Sequence, residues 1–202
     1  MNNFLAHDLL WGLTAQRLPG DAPAWAVDSI RAGQPVVVRR AQVAPGSIAV
    51  GVRGPQRGQR YATSMAMAEV TRRVRPQELC HVVSERDVPA LKALARLRPL
   101  LDASGWSWGV AGSAGFELAC GVPALHLHSD LDLILCAEQP LTRVQARALL
   151  SLLDTAGCAV DMQVQTPNGG VALREWAGAA RRVLLKNAQQ ACLVSDPWEQ
   201  TA

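Results

Sequence analysis

The chain has 202 residues, 49% of them apolar, and a formal net charge of +3. That is enough apolar side chain for one large domain or two small ones, and too much for a disordered chain. No apolar run nears the roughly 18 residues of a membrane span, and the stretch from Met1 to Leu10 carries His7 and Asp8 without the basic flank of a secretory signal. A cytoplasmic protein that meets no membrane is expected.

Five cysteines (Cys80, Cys120, Cys136, Cys158 and Cys192) show no C-x-x-C spacing and sit mostly among apolar neighbours. They read as buried reduced thiols, not as zinc ligands or a disulfide framework. Charge is unevenly spread. Residues 31–75 hold nine arginines (Arg31, Arg39, Arg40, Arg53, Arg57, Arg60, Arg72, Arg73, Arg75) against one acid, Glu69, and the whole chain has two lysines, Lys92 and Lys186. The guanidinium fork suits phosphate oxygens, and the bland alternative is a solvated basic face. Tyr61 is the only aromatic residue in that segment, so a base-stacking nucleic-acid platform is not expected. A polyanionic small molecule or an acidic protein partner fits better.

In chain order, PVVVRR (35–40) and SIAVGVRG (47–54) are β-branched runs bounded by Pro and Gly, and predict two strands paired across the turn near Pro45-Gly46. The stretch 62–74 predicts a helix that stops before Pro76. Together these predict a small sheet-containing N-terminal domain over 1–85. Beyond Val88 the texture alternates. Residues 89–103 have leucines at helical spacing, with a kink or break expected at Pro99; 107–113 predict a strand ending in a turn, and 114–121 a short helix closed by Gly121. LDLILC (131–136) predicts a strand, 142–157 a helix between an N-cap at Thr142 and a C-cap at Gly157, 158–166 a strand, and 171–182 a helix followed by VLLKN (183–187). The alternation indicates α/β (α+β) class, a mixed sheet with packed helices over 86–202.

The chemistry concentrates in the second part. Asp130 and Asp132 stand two apart at a strand start, so their carboxylates share a face. Two such carboxylates repel unless a cation lies between them, and magnesium takes one or two carboxylates plus substrate phosphate oxygens. Upstream, Gly112-Ser113 closes a strand and opens a helix, whose free N–H groups and serine hydroxyl form a phosphate site. Downstream, Asp161 stands in the apolar run AVDMQV, where burial of a charge needs compensation. It is a third candidate, as metal ligand or as proton acceptor.

Gly-Ser, a helix, D-x-D on one strand and a lone Asp on a later strand together resemble the nucleotidyltransferase (polymerase-beta-like) superfamily. The resemblance implies that Gly112 and Ser113 hold substrate phosphates and that Asp130, Asp132 and Asp161 hold Mg²⁺ or Mn²⁺. It extends further. WGVAGSAGFELACGVPALHLHSDLDLIL (108–135), with HDLLW (7–11), PVVVRRA (35–41), VGVRGPQRGQRYA (50–62), VDMQVQTPNGG (160–170), LREWA (173–177) and VLLKN (183–187), resembles the phosphoribosyl-dephospho-CoA transferases, the malonate decarboxylase holo-acyl-carrier-protein synthases. Asn187 stands where that family usually has threonine. The family implies a reaction: triphosphoribosyl-dephospho-CoA gives its phosphoribosyl-dephospho-CoA part to a serine of the apo acyl carrier protein of malonate decarboxylase, and pyrophosphate leaves. Lys186, or arginines of the 39–60 cluster such as Arg53 and Arg60, would then neutralise phosphate charge.

Other readings stand beside this one. His126-x-His128-x-Asp130 matches a zinc-hydrolase spacing, but the remaining histidines, His7 and His81, both lie upstream. Glu117 reads as structural or as surface, and Trp108 or Trp176 as core or as an adenine platform. Another nucleotidyltransferase, or a binding module without turnover, is the alternative function. The second of these usually lacks one of the three carboxylates, and all three are present here.

Overall fold

A computed structural model describes residues 4–199; Met1 to Asn3 and Gln200 to Ala202 lie outside the described residues. Short β-branched runs form the first sheet, made of β1 (Leu9–Trp11), β2 (Val36–Val38), β3 (Ser47–Arg53), β4 (Arg60–Ala66) and β5 (Arg72–Val74). Its order is β4-β3-β2-β1-β5, antiparallel throughout. Helix α1 (Ala24–Arg31) covers it, and Leu10, Ile30, Val36, Val50 and Val52 fill the space between. The hairpin expected across Pro45-Gly46 is present, with Val37 opposite Gly51 and Gly46 at φ 79°.

The helix expected over 62–74 is instead β4, a 3-10 turn (Met67–Glu69) and β5. Ala and Met favour helix locally, but β4 pairs with β3 along its whole length, from Ser47 opposite Ala66 to Arg53 opposite Arg60. Tertiary pairing overrides the weaker local preference.

The second sheet comprises β6 (Ser107–Val110), β7 (Leu131–Cys136), β8 (Val160–Thr166), β9 (Gly169–Ala172), β10 (Val183–Lys186) and β11 (Ala191–Val194), in the order β11-β10-β9-β8-β7-β6. Only β7 and β8 are parallel among the pairs of this sheet, and α4 (Arg143–Leu153) provides the crossover between them. The remaining helices are α2 (Pro89–Ala103), α3 (Gly112–Cys120) and α5 (Leu173–Ala177).

Helix α2 runs through Pro99. Pro99 lies on the exposed side, while Leu94, Leu97 and Leu101 are buried on the other. Burial of that stripe outweighs the one hydrogen bond that Pro removes. Thr142 caps α4 as expected, its hydroxyl accepting from Gln145 N–H at 3.2 Å, but the helix ends at Leu153 and Gly157 sits in the turn beyond it. The helix expected over 171–182 is shorter, because Gly169–Ala172 pairs with β8 before α5 begins and Gly178 ends it. All five cysteines are free; Cys80 is buried and the other four are half-buried, less enclosed than their apolar neighbours suggest.

The two cores meet. Leu9 of β1 belongs to the large cluster under the second sheet, and Val37 of β2 packs against it. Among the described residues no helix is long and apolar enough to cross a membrane.

Candidate active site

Strand alternation sets the carboxylates. On β7, Leu131, Leu133 and Leu135 are buried and Asp132 projects from the opposite face; on β8, Met162 and Val164 are buried and Asp161, Gln163 and Gln165 take the other face. The parallel register puts Asp132 directly opposite Asp161, at a strand spacing of about 4.8 Å. The sequence suggested a buried Asp161. Its side chain is exposed, because only alternate residues of AVDMQV face the core. Asp130, half-buried, lies just ahead of β7.

The strand-to-helix turn closes over Asp132. Ala111 N–H donates to the Asp132 carbonyl at 2.9 Å, and Gly112 follows at φ 58°. A Cβ on Gly112 would overlap the Asp132 carboxylate, so both the left-handed backbone and the close approach require glycine here. Burial, then the charges of Asp130 and Asp161, push the Asp132 carboxyl up to about 6, against the pull of Arg53 and the Ser113 N–H. A carboxylate crowded by two others is a hard oxygen site. Among the described residues no three His, Cys, Asp or Glu side chains form a ready metal cage. Asp130, Asp132 and Asp161 are nevertheless oxygen donors of the kind that share a hard cation with substrate phosphates.

Cations arrive from the first sheet. Arg53 ends β3 and Arg60 starts β4, opposite each other in register. Arg53 Nη2 donates to Ser113 Oγ at 2.9 Å and to the Ala124 carbonyl at 3.2 Å, with its guanidinium 5.5 Å from the Phe116 ring centre. Burial works against the charge of both arginines and the Asp132 carboxylate works for it, so acid and base sense one another across the junction. A cavity of about 270 Å³ opens there, walled by Arg39, Arg53, Arg60, Tyr61, Phe116 and Gly112. A neighbouring cleft of about 150 Å³ is lined by His7, Gly112, Asp132, Asp161 and Gln163. Lys186 lies apart from both, in a cleft of about 110 Å³ toward β10 that it shares with Asp161 and Glu175. The fold thus gathers Gly112, Ser113, Asp130, Asp132, Asp161, Arg53 and Arg60 at one junction, and brings Lys186 to Asp161 from another side.

Two family models, described as the N-terminal and C-terminal domains of phosphoribosyl-dephospho-CoA transferase MdcG, match residues 5–76 and 78–197. The chain belongs to the phosphoribosyl-dephospho-CoA transferase family. It is 61% identical to a phosphoribosyl-dephospho-CoA transferase of Pseudomonas fluorescens strain Pf0-1 over 198 residues, covering 98% of this chain and 96% of the relative. Identity is 63% over 195 residues to the transferase of that name from strain Pf-5, covering 96% and 94%. It is 52% over 201 residues to the one from Azotobacter vinelandii, covering 97% and 95%. No solved structure matches. The protein is accordingly a transferase enzyme.

Several residues escaped the sequence reading. Tyr61 and Phe116 are the aromatic walls of the larger cavity. Trp108 and Trp176 are buried and donate to Asp102 and to the Leu141 carbonyl, away from it. Glu117 is structural: burial opposes its charge, but the N–H groups of Ala124 and Leu125 and the Arg86 guanidinium outweigh this and hold its carboxyl below the usual range. That ties down the loop whose Ala124 carbonyl receives Arg53. His126 and His128 are exposed on the loop before β7 and line none of the three clefts.

Proposed function

We propose that the protein moves the phosphoribosyl-dephospho-CoA group from 2'-(5''-triphosphoribosyl)-3'-dephospho-CoA to a serine of the apo acyl carrier protein of malonate decarboxylase. The observation that carries this is the pairing of Asp132 with Asp161 in register, facing Arg53 and Arg60 across the Gly112 turn. Acids on one wall and guanidinium groups on the other suit a triphosphate whose α-phosphorus is attacked while pyrophosphate is held.

In this reading the serine oxygen forms a bond to the α-phosphorus as the bond from that phosphorus to the pyrophosphate oxygen breaks. The serine proton passes to Asp161, the exposed carboxylate of the pair. Arg53, fixed through Nη2 by Ser113 and Ala124, offers its remaining N–H groups and its charge to the departing pyrophosphate, and Arg60 adds its charge beside it. Lys186 contributes a positive charge on the side of Asp161 toward β10. Asp130 and Asp132 would hold Mg²⁺ or Mn²⁺, which would supply charge neutralisation on the phosphate oxygens.

Intact-mass measurement of the carrier protein, after incubation with enzyme, donor and Mg²⁺, tests this reading. The expected result is a gain equal to the donor minus pyrophosphate, lost with Asp132→Ala or with chelator. A carrier of unchanged mass, with the enzyme folded and donor present, overturns it.

A further inference from the structure

His7 is the one non-glycine residue at positive φ among the described residues, at 77°. For a residue with a Cβ this backbone is strained, and such strain persists where the surroundings over-determine it, often at working sites. The surroundings here do. His7 N–H donates to the Val38 carbonyl at 3.0 Å, Val38 N–H to the Asp8 carbonyl at 2.8 Å, and Asp8 N–H to the Leu5 carbonyl at 3.1 Å. The Asp8 carboxylate then accepts from Leu5 N–H at 2.9 Å and from Arg73 at 2.6 Å.

This turn delivers the imidazole to a particular place. His7 lines both the arginine-walled cavity and the cleft of Asp132 and Asp161, as do Ala111 and Gly112. Its Nε2 lies 3.2 Å from Arg40 Nη1. A guanidinium has no acceptor atom, so Nε2 is the acceptor and the ring proton resides on Nδ1. The ring is therefore neutral, in keeping with burial and Arg40 pushing its pKa down to about 4 against the opposing pull of a hydrogen bond with Gln163. Arg40 is braced in turn: Nη2 donates to Gln165 Oε1 at 2.6 Å, and the Gln163 amide oxygen, turned toward it, accepts from Nη1 at 3.1 Å. A Cβ at Gly170 would collide with Gln163 and crowd Arg40, so that glycine makes room for the brace.

We propose that His7 is a substrate-contacting residue, a neutral N–H donor held by Arg40 between the two cavities, whose ligand is a phosphoryl oxygen of the donor. The proposal rests on the triphosphate reading above. A neutral donor at this point stabilises charge on the phosphoryl group without adding a cation that competes with metal at the carboxylates. His7 is the first residue of the HDLLW stretch, and nothing in the transfer mechanism above uses it.

Three proteins test this: wild type, His7→Gly and His7→Asn. Glycine relieves the backbone and removes the donor; asparagine tolerates the left-handed backbone and keeps an N–H. The readouts are steady-state transfer, thermal melting and calorimetric binding of inorganic pyrophosphate. The expected result is a kcat lowered roughly 100-fold in His7→Gly, an unchanged KM for the carrier, a melting temperature within about 4 °C of wild type, and partial recovery of kcat in His7→Asn. His7→Gly with kcat within twofold of wild type overturns the proposal, as does His7→Asn that recovers nothing. If wild type transfers no group at all, the function reading fails instead; pyrophosphate affinity then decides for His7, with a roughly tenfold loss in His7→Gly supporting it and equal affinity overturning it.

Discussion

The first sheet contributes charge of one sign to the junction and the second contributes the other. Arg39, Arg53 and Arg60 come from the antiparallel sheet of β1–β5, whereas Asp130, Asp132 and Asp161 belong to the parallel pair β7–β8 and its approach. Neither sheet alone holds a site. In the second, burial and then the crowding of Asp130 and Asp161 raise the Asp132 carboxyl to about 6, and the first has arginines in excess of local acids. What joins them is side chain: Arg53 reaches Ser113, and Arg40 reaches Gln163 and Gln165. Each sheet carries charge that is unfavourable by itself; in the proposed reading the anionic substrate offsets the arginines and a divalent cation the carboxylates.

Removing an acid breaks this complementarity most severely. Asp132→Asn should lower transfer by at least roughly 10²–10³-fold. It should also leave the fold as stable or more stable, by about 1–2 kcal/mol, since it relieves the burial of a charge and its crowding by Asp130 and Asp161. Thermal melting beside the mass assay reads both; a large loss of stability would show that the carboxylate is structural. Gly112→Ala comes next. Its Cβ would overlap the Asp132 carboxylate in a left-handed backbone, so about 1–3 kcal/mol of stability and most of the activity should go together in denaturant titrations and kinetics.

Breaking the cationic wall should act on binding. Arg53→Ala should raise KM for the donor by roughly 10–100-fold, the worth of charge-assisted hydrogen bonds, with Arg53→Lys recovering part because it keeps the charge and loses the fork. Equal KM in all three proteins would remove Arg53 from the donor site. The mildest effect is that of pH. The Asp132 carboxyl titrates higher folded than unfolded, so the folded state binds the extra proton between the ordinary carboxylate range and about 6. Its contribution to stability therefore falls as pH rises through that window. Mg²⁺ affinity should rise over the same window as the ionised ligand forms, and an affinity flat from pH 5 to 7 would contradict it.

Much of the second sheet was legible because local signals agreed with tertiary demands. Strand β7 occupies 131–136, Thr142 caps α4, and Gly121 closes α3 at φ 74°. D-x-D and Gly-Ser could be read because their spacing is local. The cation wall could be read only as a cluster; which arginines face the carboxylates depends on β3 and β4 pairing, and β4 looked helical. His7, Tyr61 and Phe116 gave no local signal, since their place follows from one sheet closing over the other. Asp161 misled in another way: its flanking apolar residues point to the core while it points out.

The position of β1 bears on the order in which the protein can assemble. It precedes the other strands of its sheet in the chain, yet it is flanked on both sides, by β2 and by β5. The β2–β3–β4 meander can pair through short connections as it emerges, but Leu9 and Leu10 lack their second partners until Arg73 and Val74 have been made. Such distant pairings are slow steps, and an unpaired strand edge is exposed to misassociation in the meantime. The salt bridge from Arg73 to Asp8 then acts as a late latch: it secures the turn that carries His7 only once both flanks of the strand are filled.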